Sequence, residues 1–196
     1  TAGETIKMVS REDIEVPLRL TEVQQGLYKM CAEQRDISSL RRYKLLELLC
    51  SHPWCYAAHV SGNSSTSLTG GGSAVVPTAL TASSKELLDN MPQQCLLGAA
   101  EQDIQQSAKM IELFNILQGI VKRGEKVVIF FCRTATCRLL EALIERELHF
   151  KPGVIFGETV GDERQKMLQR FRADAPQAGV LPAPVLLLSV WVGGVG

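Results

Sequence analysis

Between Gly124 and Gly196 the chain alternates three short, strongly apolar runs with two stretches of helical periodicity, and few folds accommodate that order. The first run, Lys126 to Cys132 (KVVIFFC), contains almost nothing polar. Such uniformity predicts a strand covered on both faces, as in a parallel sheet. Gly153 to Phe156 (GVIF) and Val185 to Ser189 (VLLLS) have the same character. The first intervening stretch places Leu139, Leu140, Leu143 and Ile144 on one helical face, and the second does so with Met167, Leu168 and Phe171. Strand, helix, strand, helix, strand with connections of this length implies parallel pairing through crossovers. The predicted class is α/β, an open parallel sheet flanked by helices. Ligands of such sheets gather at the carboxyl ends of the strands. Those ends carry Arg133-Thr134, Gly157-Glu158-Thr159, and Ser189 leading to Gly193-Gly194-Val195-Gly196.

Upstream, the pattern is helical. Thr21 and Gln24 stand at capping-box spacing, and Val23, Leu27, Met30 and Cys31 recur on one face. A second helix is predicted from about Ser38 to Cys50, ended by Pro53. From Ala57 to Ser83, Ser, Thr, Gly and Ala dominate around Gly70-Gly71-Gly72, which reads as a flexible insert. Ser83 and Glu86 again have capping spacing, with Pro92 interrupting. Ser107 caps a helix whose stripe is Met110, Leu113, Phe114, Leu117, Ile120 and Val121, and Gly124 occupies the position of a C-terminal glycine. The expected organisation is a lead segment with bridging helices over 1–56, an insert and linker over 57–106, and an α/β lobe over 107–196. The chain opens on Thr1 and stops at Gly196 inside a glycine-rich motif, so it reads as a piece of a longer protein.

Four matches, in order, resemble the second RecA-like lobe of the SWI/SNF-type DNA-dependent ATPases of helicase superfamily two. Leu187-Leu188-Ser189-Val190-Trp191-Val192-Gly193-Gly194-Val195-Gly196 follows the frame of that family's fifth helicase motif. Gly157, Arg164 and Phe171, each seven residues apart, resemble its signature after the second strand of the lobe. Ser107-Ala108-Lys109 before the apolar strand is similar to the approach to the fourth motif. Leu20-Thr21 with Gln24 and Tyr28, then Leu40-Arg41-Arg42 and Cys50-Ser51-His52-Pro53, resemble the helical bridge. Val190 and Val192 depart from the family's usual threonine and alanine, and Arg133 replaces a common glutamine.

The resemblance implies one half of an ATP-driven double-stranded DNA translocase of the chromatin-remodelling or DNA-repair kind, working in the nucleus. ATP and Mg2+ would be held mainly by a first lobe, since this sequence has no G-x-x-x-x-G-K-[ST] loop. Nucleosomes or repair proteins would be further partners. Arg133, Thr134, Arg164 and Ser189 would meet DNA phosphates, and Gly193, Gly194 and Gly196 would lie at the ATP and lobe interface. Hydroxyls, arginines and glycine-turn amides are the groups that meet phosphate without reading sequence. Two rival readings remain: a degenerate lobe serving as a DNA- or protein-binding module, and an RNA helicase lobe of the DEAD-box kind, against which the bridge residues argue.

Composition narrows this further. Lys plus Arg and Asp plus Glu are both 21, so any DNA contact is local rather than a bulk property. Six cysteines without close regular spacing do not form a secreted disulfide framework. No run approaches the ~20 apolar residues of a membrane span. Cys50, His52, Cys55 and His59 are four potential zinc ligands within ten residues, but their spacing matches no common zinc unit and no metal is expected.

Overall fold

The computed structural model describes residues 12–35, 37–60, 103–174 and 182–190. The helical bridge comes first, as α1 (Glu22–Glu33), α2 (Ser39–Ser51) and α3 (Pro53–Val60). A 3-10 turn at Ile104–Gln106 leads into α4 (Ala108–Lys122), and the lobe follows as β1 (Val127–Phe131), α5 (Thr134–Leu148), β2 (Gly153–Ile155), α6 (Gly161–Arg172) and β3 (Val185–Ser189). All strand pairing is parallel, in the order β1-β3-β2.

Local chemistry sets the helix ends. The Thr21 side chain accepts from the Gln24 amide while the Gln24 side chain takes the Thr21 N–H, a complete capping box. Ser107 accepts from the Met110 N–H to start α4. At the other end of α4, Gly124 adopts φ 70°, its N–H donates to the Val121 carbonyl, and the Glu125 N–H donates to Ile120. That is a Schellman ending, and a side chain at Gly124 would be strained in this left-handed conformation.

One face of the sheet and the helices of the bridge share a core. Leu139, Leu140, Leu143 and Ile144 of α5 join Phe131, Val185 and Leu187 of the sheet, Met110, Phe114 and Leu117 of α4, and Leu45, Leu48, Leu49 and Tyr56 of the bridge. The register places Gly153 beside Leu186, and Ile155 beside Leu188, on the opposite face, where α6 packs against β2. A Cβ at Gly153 would stand 3.0 Å from Leu186 Cδ1, so a larger residue there would require the Leu186 side chain to shift by a few tenths of an ångström.

Two expectations need correction. Uniform apolarity predicted cover on both faces of every strand, and central β3 has nearly that, but β1 does not: Val128 is 36% and Phe130 58% exposed. β1 pairs only with β3 among the described residues, and α6 covers the β2 side of that face, so the outward side chains of β1 stay open. The insert was also expected from Ala57, whereas α3 runs to Val60 and buries Ala57, Ala58 and Val60. Pro53 starts a helix at the first helical position, where its missing N–H costs nothing, rather than simply ending one. The rest of the expected insert and the helix expected at Ser83 lie outside the described residues.

Candidate DNA-facing edge of the sheet

The carboxyl ends of the three strands bring the expected residues to one edge. Ser189 ends β3, pairs in register with Phe131, and is 7% exposed. Phe131 and Phe156, at the ends of the flanking strands, meet edge to face at a centroid distance of 5.4 Å. Together they make a rigid apolar floor for the edge.

Arg133 and Thr134 follow β1 at the start of α5. No side chain caps this helix, and its first turn carries no acid. The first amides of α5 therefore lack an intrahelical acceptor at the positive end of the helix dipole, which favours an anion. The start of α6 is also without a side-chain cap, but Asp162 and Glu163 occupy its first turn and already complement the dipole. The preceding turn is closed by Thr159, whose hydroxyl accepts from the Phe156 N–H at 2.9 Å.

The two arginines differ. Arg133 is engaged by Glu47 of α2, with Nη2 to Oε2 at 2.6 Å and Nε to Oε1 at 3.3 Å. This bidentate pair fastens the bridge to the edge, and the Glu47 carboxylate raises the Arg133 pKa. Sequence reasoning placed Arg133 on DNA alone; the contact with Glu47, 86 residues away, leaves no trace in local sequence. Arg164, in the first turn of α6, is half-buried, and its Nε is enclosed with no partner among the described residues. No carboxylate among those residues pairs with it. Its cation is thus the less committed of the two. Gly193, Gly194 and Gly196 lie outside the described residues.

The Arg133 and Glu47 pair should contribute modestly because both side chains keep solvent contact. A double-mutant cycle on R133A and E47A is expected to give a coupling of about 1 kcal/mol, as partly exposed pairs do. A coupling indistinguishable from zero would mean that the pair does not fasten the bridge.

Sequence reasoning missed a polar node behind the edge. Gln24 is fully buried, and its Nε2 donates to the carbonyls of Leu49 at 2.9 Å and Cys50 at 3.4 Å. Its Oε1 accepts from the Ala108 N–H at 3.1 Å, so one side chain joins α1, α2 and α4. Thr21 Oγ1 donates to the Gln106 carbonyl at 2.9 Å, and Ser107 Oγ donates to the Ser51 carbonyl at 2.8 Å. Of the residues weighed as zinc ligands, His52 is held by backbone groups. His52 Nδ1 accepts from the Trp54 N–H at 3.0 Å and Nε2 faces the Asp103 carbonyl at 3.2 Å. Burial lowers its pKa to about 4, against smaller raising contributions from Asp103. Burial also pushes the Cys55 thiol up to about 12.

By fold, the molecule is a RecA-like α/β lobe carried on a three-helix bridge. In sequence order and in three dimensions it resembles the C-terminal lobe of the SWI2/SNF2 ATPases. No protein-family model matches the sequence. The mouse DNA excision repair protein ERCC-6-like is 26% identical over the whole chain, which spans 16% of that protein. The Sulfolobus solfataricus SWI2/SNF2 ATPase C-terminal domain superposes over 90% of the chain with a TM-score of 0.56 and 20% identity, and the match spans 62% of that domain. The ATPase core from the same organism, in complex with double-stranded DNA, gives 0.55 and 19% over 88% of the chain and 29% of its own length.

Proposed function

We propose that this chain supplies the DNA-tracking part of the second lobe of an ATP-dependent double-stranded DNA translocase. The observation that carries the reading is the placement of Thr134 at the uncapped start of α5, Ser189 at the end of β3 and Arg164, without a carboxylate partner among the described residues, at one edge of a parallel sheet. Amides at a helix start, hydroxyls and a free guanidinium meet phosphates without reading bases, which is what movement along any sequence requires. A SWI2/SNF2 core of the same fold was captured on double-stranded DNA, which supports duplex as the ligand. The relative named as an excision repair protein favours a repair motor over a nucleosome remodeller, and with it a nuclear setting and repair proteins as partners.

In a motor of this type ATP with Mg2+ drives movement between lobes. The residues of this chain hold the DNA backbone: Arg164 as a point of charge, Thr134 and the α5 amides as donors, and the β3 end as the rigid support behind them. Gly193, Gly194 and Gly196 are the part of this chain assigned to the lobe interface. Without a phosphate loop in its sequence, the 196-residue chain is expected to hydrolyse no ATP above a buffer blank, with or without duplex.

The direct test is Arg164→Ala in a duplex titration across salt concentrations. Loss of one phosphate contact is expected to weaken binding for every sequence alike and to lower the salt slope by about one. An unchanged slope with a lowered melting temperature would make Arg164 a brace between α6 and the sheet, and remove it from the DNA path.

A further inference from the structure

Leu40, Tyr43, Lys44 and Glu47 of α2 stand at i, i+3, i+4 and i+7, and so share one helical face. One end of that face is fixed by the contact of Glu47 with Arg133 at the carboxyl edge of the sheet. From there it runs outward along the bridge. Tyr43 lies about 6 Å along the axis from Glu47, roughly two phosphate steps of about 3.4 Å on one DNA strand. Its side chain is open: Tyr43 is 67% exposed, and Leu40 more so.

Basic groups gather around this face. Lys44, Arg133 and Arg41 all act on His59 of α3, which their repulsion and, first of all, its own burial hold below the ordinary histidine value. The three cations, two on α2 and one at the start of α5, therefore lie within electrostatic reach of one residue of α3. Glu47 is the acid on this face, and Arg133 already holds it. Among the described residues no carboxylate pairs with Lys44. With 21 acidic and 21 basic residues in the whole chain, this is a local concentration of positive charge rather than a general one. An exposed phenol beside lysine and arginine offers a donor and a flat ring next to point charges, a combination suited to a sugar-phosphate backbone.

We propose that the Tyr43 and Lys44 face of α2, with Arg41 beside it, is a second phosphate-contact surface that extends the DNA path from the carboxyl edge of the sheet onto the helical bridge. It rests on the DNA reading above and adds a binding element to it. Lys44 meets a phosphate as a charge, Tyr43 donates its hydroxyl, and Glu47 acts against binding by occupying Arg133.

The test is fluorescence anisotropy of the 196-residue chain on a short labelled duplex, over a salt series. Lys44→Ala is expected to weaken binding about five-fold and to lower the salt slope by about one. Y43A/K44A is expected to weaken it further. Glu47→Gln is expected to tighten binding several-fold, because it frees Arg133 and removes a negative charge. Loss and gain from neighbouring positions on one face is a pattern that general destabilisation does not produce. Lys44→Gln, which keeps most of the aliphatic stem, repeats the measurement should the alanine variant melt early. If Lys44→Ala and Lys44→Gln bind as the unsubstituted chain does while Arg164→Ala is weakened, the bridge surface is overturned and the sheet edge stands. Failure of the unsubstituted chain to bind duplex at low salt overturns both. Displacement of the duplex by poly-glutamate at equal charge, lost in Lys44→Ala, would make this an acidic-protein surface and overturn the phosphate assignment.

Discussion

Gln24→Ala is expected to cost about 3 kcal/mol of folding stability, more than the removal of any surface ion pair in the chain. The reason is the number of groups left without partners. Truncation strands the Leu49 carbonyl, deprives the Ala108 N–H of its acceptor, and opens the capping box at Thr21. Each buried polar group that loses its partner costs about 1–3 kcal/mol. Gln24→Glu is expected to be no better, because a carboxylate would keep the acceptor toward Ala108 while pressing negative charge on the carbonyls of Leu49 and Cys50. Gln25→Ala is the internal control: its side chain donates to the Leu20 carbonyl in solvent, and its loss should shift stability by less than about 0.5 kcal/mol. Urea denaturation of the three variants checks this. Equal midpoints for Gln24→Ala and Gln25→Ala would mean that the node does not tie α1, α2 and α4 together.

Acid should weaken the same region through His52. Its folded value of about 4 lies below the ordinary 6.5, so the folded state disfavours the proton. The corresponding stability is fully present above about pH 6.5 and is lost as pH falls toward about 4. Between about pH 7 and about pH 5 the loss amounts to about 2 kcal/mol. The structural cause is specific: a proton on Nδ1 removes the acceptor for the Trp54 N–H inside a buried site. His52→Gln should start from a lower stability at pH 7 and lose little of it by pH 5. A variant with the same pH dependence as the unsubstituted chain would place the acid sensitivity elsewhere.

Much of the architecture was legible because its causes are local. Capping chemistry at Thr21 and Ser107, the glycine at 124 and the apolar stripe of α5 depend on neighbours within a turn, and all appear where the spacing placed them. Parallel pairing followed from strand and helix alternation, and it alone brought Thr134, Arg164 and Ser189 to one edge. The open face of β1 was not legible, since apolarity states what a strand tolerates and not whether a helix lies over it. Nor was α3, where a proline read as a stop begins a helix. The burial of Gln24 and the capture of Arg133 by Glu47 depend on segments 84 and 86 residues apart, which local pattern does not reach.

The central claim is that this lobe grips duplex DNA by its phosphates. The measurement closest to it is the affinity of the unsubstituted 196-residue chain for two short duplexes of unrelated sequence, followed over a salt series. Backbone contacts from Arg164, the start of α5 and the bridge should give the two duplexes the same affinity within about two-fold, with log affinity falling linearly against log salt by at least about two units. No binding at low salt, or a preference of more than about ten-fold for one sequence, would contradict it.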